Sequence, residues 1–267
     1  MIIEEKNGLK LLKFENLAGA AELVAVVSTR AGGVSPAPYA GLNLGFGTKD
    51  SPENALSNLK LLCAAVNAPF ERVVRMRQVH MANVKVIDRD FDFICAPAAL
   101  TNTDALITGL KSVPLLALSS DCALTVFYDP VHSALAVSHS GWRGALLNIY
   151  SQVIATMQLR YGTRPGEIIV GVSPMISAEN YPVKEDFIEK LRVFYPEDVP
   201  RKCMRLKDGR HHFNLKELLK YQLVALGVKN YEFAHMCTYA DKDLFYSWRR
   251  DGENAGHFGL LAMLTTS

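Results

Sequence analysis

Short runs of almost wholly apolar residues recur along the chain and predict β-strands that are buried on both faces. Val113–Leu118 contains no charged residue, and Leu124–Tyr128 and Ala134–Val137 have the same character. Apolar runs of this length without polar alternation are typical of strands that are covered on both sides. The pattern therefore predicts layered sheets with helices outside them. Further strands are predicted at Leu23–Val27, Arg72–His80, Asn83–Asp88, Asp104–Thr108, Glu167–Val172 and Glu232–Cys237.

Helices are indicated by capping residues and by apolar positions three or four residues apart. Ser51 followed by Pro52 is typical of a helix start, and Asn214 is a plausible N-cap further along the chain. Because strands and helices are mixed without strict alternation, the predicted class is α+β. The predicted helices run from Ser51 to about Val66, from Trp142 or Arg143 to about Tyr161, and from Phe213 to Leu226.

Composition narrows the classes of protein to which the chain can belong. Its 267 residues are 49% hydrophobic, which indicates a large core and excludes a disordered chain. No repeat or long linker is visible, so one domain over residues 1–267 is predicted.

The net charge of +2 provides no field that would recruit nucleic acid or an anionic membrane, and small molecules are the expected partners. No run of about 18 apolar residues or secretory signal is present, and a cytoplasmic protein is expected.

The cysteines are odd in number, widely spaced and without a CxxC pair, which favours free thiols in a reducing compartment. A functionally important cysteine would then act chemically rather than as half of a disulfide. The five are Cys63, Cys95, Cys122, Cys203 and Cys237.

The strongest chemical signal is a predicted hairpin that turns at Asp129-Pro130-Val131-His132. If the hairpin is symmetric about Pro130 and Val131, Cys122 lies directly opposite His139, with Cβ atoms about 4.5–5.5 Å apart. A thiolate and an imidazole at that separation can share a metal ion or form a nucleophile and its base. A register shift of one residue would place them on opposite faces.

A catalytic zinc usually has three protein ligands and one open position. His80 is the best third candidate, because it ends the strand predicted at Arg72–His80. Asp121, beside Cys122, could act as an acid or base or orient a ligand histidine. Asp104 is expected to hold a turn, and His211-His212 is expected in an exposed hairpin turn.

Other polar residues beside glycines are candidates for a pocket. Arg143 follows Gly141-Trp142 at a predicted helix start, where it could bind phosphate or form a surface salt bridge. Arg30 and Asn43 could line the same pocket or stabilise their own loops.

The chain resembles the YfiH-like proteins, a family known both as multicopper polyphenol oxidases (laccases) and as purine nucleoside phosphorylases. Several ordered motifs carry the resemblance, from about residue 28 to 259. They are Ser28–Ser35, Pro38-Tyr39, Leu42–Gly45, Arg77–His80, Thr103–Thr108, Asp121-Cys122, His139–Gly144, Cys237-Thr238 and Phe245–Gly252.

The resemblance implies that His80, Cys122 and His139 are zinc ligands, the same three residues to which the spacing points. It also implies a single-domain α/β/β/α sandwich of mixed sheets with flanking helices. The implied activity is phosphorolysis of adenosine, inosine, guanosine and methylthioadenosine, with adenosine deamination as a side activity. We expect Arg143 and Arg30 at the phosphate or ribose, and Gln78 or Asp121 near the base or the metal.

The sequence departs from the family pattern at three positions. Family members commonly have a proline at the position of Ala123 and a cysteine at the position of Met175. They have an arginine after the glycine at the position of His257. The three metal-ligand positions are unaffected, so the departures bear on pocket shape and substrate preference.

Three other functions compete with the phosphorylase. Cys122 with His139 could form a cysteine-type amide hydrolase, for which a peptidoglycan precursor is a candidate substrate. A copper-dependent polyphenol oxidase fits less well, because several copper ions need many ligands and the seven histidines offer one convincing cluster. A single bound copper ion remains an alternative to zinc. The last alternative is a binding protein with a closed, structural zinc site.

Overall fold

Sixteen strands and seven α-helices occur in the computed structural model, which describes residues 1–93 and 98–266. The strands are β1 (Ile2–Lys6), β2 (Leu9–Lys13), β3 (Leu23–Ser28), β4 (Val74–Arg77), β5 (Val84–Ile87), β6 (Ala98–Thr101), β7 (Ala105–Thr108), β8 (Leu115–Ser119), β9 (Ala123–Asp129), β10 (Ala134–Ser140), β11 (Ile169–Val172), β12 (Pro182–Val183), β13 (Met204–Lys207), β14 (Arg210–Phe213), β15 (Asn230–Phe233) and β16 (Phe258–Leu264). The helices are α1 (Pro52–Ala65), α2 (Trp142–Leu146), α3 (Ile149–Tyr161), α4 (Glu185–Phe194), α5 (Asp198–Cys203), α6 (Leu215–Ala225) and α7 (Trp248–Asp251).

Two large mixed sheets form the centre of the fold. The seven-stranded sheet has the order β1-β2-β3-β16-β8-β4-β6, and the six-stranded sheet has the order β15-β11-β9-β10-β7-β5. Most neighbouring strands are antiparallel, but β4 is parallel to both β6 and β8, β5 is parallel to β7, and β11 is parallel to β15. A small third sheet, β12-β14-β13, lies beside them.

Adjacent residues of the central strands point into different cores, which explains their uninterrupted apolar runs. In β9, Val126 lies in the core between the two large sheets, whereas Phe127 packs with the helices outside the six-stranded sheet. In β16, Leu260 lies in the same inner core, whereas Leu261 packs with α1 outside the seven-stranded sheet. The implied α/β/β/α layering is therefore confirmed. Within the described ranges, no helix is both long and apolar enough to cross a membrane.

The β9–β10 hairpin forms, but its register differs by two residues from the prediction. Asp129 pairs with Ala134, and His139 pairs with Leu124 rather than lying opposite Cys122. The turn between β9 and β10 is therefore two residues longer than predicted. The side chain of Asp129 stabilises it by accepting hydrogen bonds from the backbone N–H groups of Val131 and His132. A shift of two residues preserves the face of every side chain, so Cys122 and His139 remain on one side of the hairpin.

Several predicted boundaries are wrong for local reasons. The strand predicted to reach His80 ends at Arg77, and His80 has a left-handed φ of 60°. The helix predicted over 142–161 is broken at Asn148, which has a φ of 52° and caps α3 with its side chain. The strand predicted at Glu232–Cys237 instead spans Asn230–Phe233.

Other local predictions are confirmed or corrected by side-chain contacts. Ser51 and Asn214 cap α1 and α6 as predicted. The β13–β14 hairpin exists, but His212 is buried and bonded to the Ala178 carbonyl rather than exposed. Cys95 lies outside the described residues, and the other four cysteines are free thiols: Cys63, Cys122, Cys203 and Cys237.

Candidate metal centre

Two histidines and a cysteine converge where the ends of strands from both large sheets meet. His80 follows β4 of the seven-stranded sheet, while Cys122 precedes β9 and His139 lies near the end of β10. Their nearest possible ligand atoms all lie within 4.8 Å of one another. The two imidazole rings are nearly perpendicular, with centroids 4.7 Å apart. A set of two nitrogens and one sulfur fits a metal such as zinc and leaves a fourth position open.

The buried carboxylate of Asp104 positions two of the three side chains. Its Oδ1 lies 3.1 Å from Nδ1 of His139, which leaves Nε2 of that ring available to a metal. The same carboxylate accepts hydrogen bonds from the backbone N–H groups of Val79, His80 and Met81. These bonds hold the turn in which His80 has its positive φ. Asp104 holds a turn as predicted, but its contact with His139 was not predicted.

Gly141 leaves the space that the convergent side chains need. A Cβ atom at this position would lie 2.8 Å from Sγ of Cys122 and 3.0 Å from Cδ2 of His80. Both distances are shorter than ordinary carbon contacts, so a larger residue would displace these side chains. The glycine that follows β10 is therefore part of the construction of the centre.

Cys122 and His139 shift each other's pKa in the metal-free centre. Burial alone would raise the pKa of the Cys122 thiol, but His139 and His80 outweigh it and lower the pKa from 9.0 to about 7. Burial alone would lower the pKa of His139, but Cys122 and Asp104 raise it to about 9. The site thus stabilises a thiolate, the form of cysteine that binds metals.

A cavity of about 750 Å³ adjoins the centre and carries an excess of positive charge. Four arginines line it, namely Arg75, Arg77, Arg143 and Arg249. Among the described residues, none of the four forms an ion pair with a carboxylate. Of the described residues that line the cavity, Asp121 is the single acidic one. Oxygens of an anionic ligand would meet unneutralised guanidinium groups there.

Besides the three candidate metal ligands, three of the predicted site residues line this cavity. Gln78 forms two hydrogen bonds with the backbone of Leu118, at 2.7 and 3.0 Å, so its amide links β4 to β8. The carboxylate of Asp121 accepts hydrogen bonds from the Thr238 hydroxyl and from the backbone N–H of Arg249. It thereby fixes the start of α7 at the cavity.

Arg143 is the third of these residues and has a different environment. Its guanidinium carbon lies 4.4 Å from the centroid of the Trp142 ring. The structure thus holds this guanidinium by stacking at the start of α2, beside the cavity that it lines. It remains available to a ligand.

Arg30 and Asn43 are not among the residues that line the cavity. Arg30 stacks over Tyr246 and donates hydrogen bonds to the carbonyls of Lys242 and Ala40. Asn43 is fully buried, and its Oδ1 accepts hydrogen bonds from the backbone N–H groups of Gly45 and His257. Asn43 therefore acts on the cavity by holding two segments that line it, and Arg30 stabilises its own loop.

Of the three departures from the family pattern, His257 lies in the cavity wall. Burial and the positive charges of His139 and His80 lower the pKa of His257 to about 4. Its Nδ1 atom is buried and has no hydrogen-bond partner within the described part of the chain. Ala123 and Met175 are buried and are not among the residues that line the cavity.

Sequence reasoning missed several residues of the cavity. Arg75 and Arg77 alternate with apolar residues on the strand that leads to His80. This alternation indicates that both arginines lie on one face of the strand. Trp248 and Arg249 lie within a motif that carried the resemblance, but nothing in its spacing assigned them a role. Tyr181, over which Arg249 stacks, reaches the cavity from a segment for which no element was predicted.

Comparisons with known proteins agree with this architecture. A family model described as multi-copper polyphenol oxidoreductase laccase matches residues 24–265. A relative from Bacteroides thetaiotaomicron named purine nucleoside phosphorylase is 30% identical over 253 residues, which cover 92% of this chain and 93% of the relative. A relative of the same name from Deinococcus radiodurans is 33% identical over 250 residues, covering 93% and 90% of the two chains.

Solved structures show the same fold along nearly the whole chain. The crystal structure of YlmD from Geobacillus stearothermophilus superposes with a TM-score of 0.89 at 28% identity, covering 98% of each chain. That of the Bacillus licheniformis hypothetical protein YfiH gives a TM-score of 0.88 at 26% identity, covering 98% and 99%.

Proposed function

The chain belongs to the YfiH-like family described as multi-copper polyphenol oxidoreductase laccase, and we propose that it is a zinc-dependent purine nucleoside phosphorylase. One observation carries the proposal: a convergent His–Cys–His centre adjoins a cavity whose four arginines have no carboxylate partner among the residues that the structure describes. Such a cavity suits a reaction in which a neutral nucleoside meets an anionic nucleophile. The names of the relatives support this type of enzyme.

In the proposed reaction, a phosphate oxygen forms a bond to C1′ of the ribose while the bond from C1′ to the purine nitrogen breaks. The leaving purine nitrogen gains a proton, and hydrogen phosphate loses one as it becomes the sugar phosphate, so the products are ribose 1-phosphate and the neutral free base. The cavity arginines hold the phosphate and offset its charge, which favours a productive orientation.

The residues of the chain have distinct roles in this proposal. His80, Cys122 and His139 would hold the zinc ion, which when bound acts as a Lewis acid and can activate water. Arg143 contacts phosphate or ribose. Asp121 keeps α7 against the cavity through the backbone N–H of Arg249.

Two further side chains would shape the base subsite. His257 presents an unpartnered Nδ1 that can hydrogen-bond to a polar edge of the purine. Gln78 uses its amide to fix the β4–β8 connection, so we assign it to positioning rather than to substrate contact.

The same cavity could accept adenosine, inosine, guanosine and methylthioadenosine, with deamination of adenosine as a side activity. A Cys122 side chain that forms no disulfide suits a reducing compartment such as the cytoplasm.

The test is chromatography of adenosine incubated with zinc-loaded protein, with and without phosphate. The proposal expects adenine and ribose 1-phosphate in the presence of phosphate, and their loss in Cys122→Ala. Cys63→Ala is a matched control, because Cys63 is a buried thiol of α1 that does not line the cavity. Unchanged adenosine under every metal and phosphate condition would refute adenosine phosphorolysis.

A second candidate is supported by the Cys122–His139–Asp104 arrangement. A thiol of lowered pKa beside an imidazole that is oriented by a carboxylate also describes a cysteine hydrolase. That enzyme would cleave an amide, with a peptidoglycan precursor as a candidate substrate. Because zinc would occupy the thiolate, activity that rises when zinc is removed would favour the hydrolase over the phosphorylase.

A further inference from the structure

The fourteen arginines of this protein differ in their charged partners. Four exposed arginines and the partly buried Arg250 pair with carboxylates: Arg160 with Asp88, Arg164 with Glu167, Arg192 with Glu189, Arg205 with Glu179, and Arg250 with Asp251. Five arginines outside the cavity form no ion pair among the described residues: Arg30, Arg72, Arg89, Arg201 and Arg210. The four cavity arginines have no such partner in the described ranges 1–93 and 98–266. Two of these four, Arg75 and Arg77, lie next to each other on one strand.

Arg75 and Arg77 project from the same face of β4, because side chains two residues apart share a face. Strand β4 lies between β8 and β6 in the seven-stranded sheet, so its backbone is held on both sides. The guanidinium carbon of Arg75 lies 4.1 Å from the centroid of the Phe46 ring. Phe46 lines the cavity as well and fixes the plane of that guanidinium.

The guanidinium group of Arg75 forms no hydrogen bond with the described residues. Its Nε is buried and has no hydrogen-bond partner in the part of the chain that the structure describes. Burial, followed by the charge of Arg77, lowers the pKa of the Arg75 guanidinium. A half-buried cation beside a like charge costs free energy unless an anion compensates it.

We propose that Arg75 and Arg77 form a subsite that binds a phosphoryl oxyanion at the Phe46 side of the cavity. A guanidinium fork matches the oxygens of a phosphoryl group, and the second guanidinium adds charge at the same place. The oxyanion is either inorganic phosphate, the co-substrate of the proposed reaction, or the phosphate of a nucleotide. The assignment rests on the proposed function for its catalytic meaning, but anion binding can be measured without catalysis.

The experiment compares zinc-loaded wild-type protein with Arg75→Gln and Arg77→Gln. Adenosine cleavage is measured against phosphate concentration, and AMP is tested as a competing substrate. Calorimetry with inorganic phosphate and with AMP measures binding directly. Arg72→Gln is the matched control, because Arg72 also stacks on a phenylalanine, Phe93, but does not line the cavity. Zinc content and circular dichroism verify the fold of each variant.

We expect each cavity variant to raise the KM or Kd for phosphate by about 10- to 100-fold, the loss expected for a hydrogen bond to a charged group. The KM for adenosine should change less than twofold, and Arg72→Gln should match the wild type. Weakened binding of AMP with unchanged phosphate would identify a nucleotide as the source of the oxyanion. Arg77 is exposed, so Arg77→Gln preserves the test if Arg75→Gln fails to fold.

Two failures can be told apart. If adenosine is never cleaved but phosphate or AMP binds and the variants lose that binding, the subsite stands and the proposed function fails. If adenosine is cleaved and both variants bind phosphate and AMP as tightly as Arg72→Gln does, the subsite is refuted and the proposed function stands.

Discussion

Replacing Asp104 with asparagine should weaken both the fold and the metal centre. The carboxylate is fully buried and accepts hydrogen bonds from three backbone N–H groups and from Nδ1 of His139. The single amide oxygen of asparagine cannot accept all four, and its NH₂ group would face donors. Because breaking a buried charged pair costs about 3–5 kcal/mol, we expect a loss of that order in the free energy of unfolding of the metal-free protein.

The metal centre should be affected separately, because Asp104 fixes the ring of His139 and the turn that carries His80. Loss of a carboxylate that orients a metal-binding histidine typically lowers metal affinity about 10- to 100-fold. Competition with a chromophoric chelator measures the zinc affinity, and urea denaturation of the metal-free protein measures stability. Since hydrogen bonds hold the pKa of Asp104 below 3.8 despite its burial, its contribution is fully present at neutral pH and is lost on acidification.

Asp129 provides a matched control at the other end of the β9–β10 hairpin. It is also fully buried, holds a turn through two backbone N–H groups and contacts Nδ1 of His132 at 2.8 Å. Asp129→Asn should therefore lower stability and leave zinc affinity unchanged. Equal zinc affinities of Asp104→Asn and Asp129→Asn would refute the assigned role of Asp104.

Three further predictions address the centre and the fold. Gly141→Ala should lower zinc affinity at least about tenfold, because its Cβ would crowd Cys122 and His80; unchanged affinity in the chelator assay would contradict that view. In metal-free protein, alkylation of Cys122 by iodoacetamide should reach half its maximal rate near pH 7, as peptide mass spectrometry can follow, and zinc should suppress it. The pKa of the Cys63 thiol is about 12, so Cys63 should stay unmodified, and labelling of both thiols alike would count against the assigned charges. Ser51→Ala should cost about 1 kcal/mol in urea denaturation and Ser51→Gly only a few tenths, whereas equal losses would show that the side-chain cap is not responsible.

Local sequence rules predicted the elements whose signals are local. Ser51 and Asn214 cap their helices because a side-chain oxygen satisfies a backbone N–H within three residues. The face shared by Cys122 and His139 was predicted although the register was wrong by two residues, since the pleat repeats every two. The exact turn depended on the bonds of the Asp129 side chain, which the turn motif alone did not specify.

Long-range contacts account for what the sequence did not predict. Asp104 is 35 residues from His139 along the chain, and only the β7–β10 pairing brings them together. Arg30 lies in a glycine-rich motif but stacks on Tyr246, which is 216 residues away in the sequence. No periodicity or spacing reports such a partner.

The central claim is that one metal ion at His80, Cys122 and His139 supports phosphorolysis. Its most direct test titrates metal-free protein with zinc, and separately with copper, while bound metal and adenine release are measured together. The proposal predicts phosphate-dependent activity that rises with zinc and saturates at one ion per chain, with no further gain from copper. Full activity in metal-free protein, or activity that requires several copper ions per chain, would contradict it.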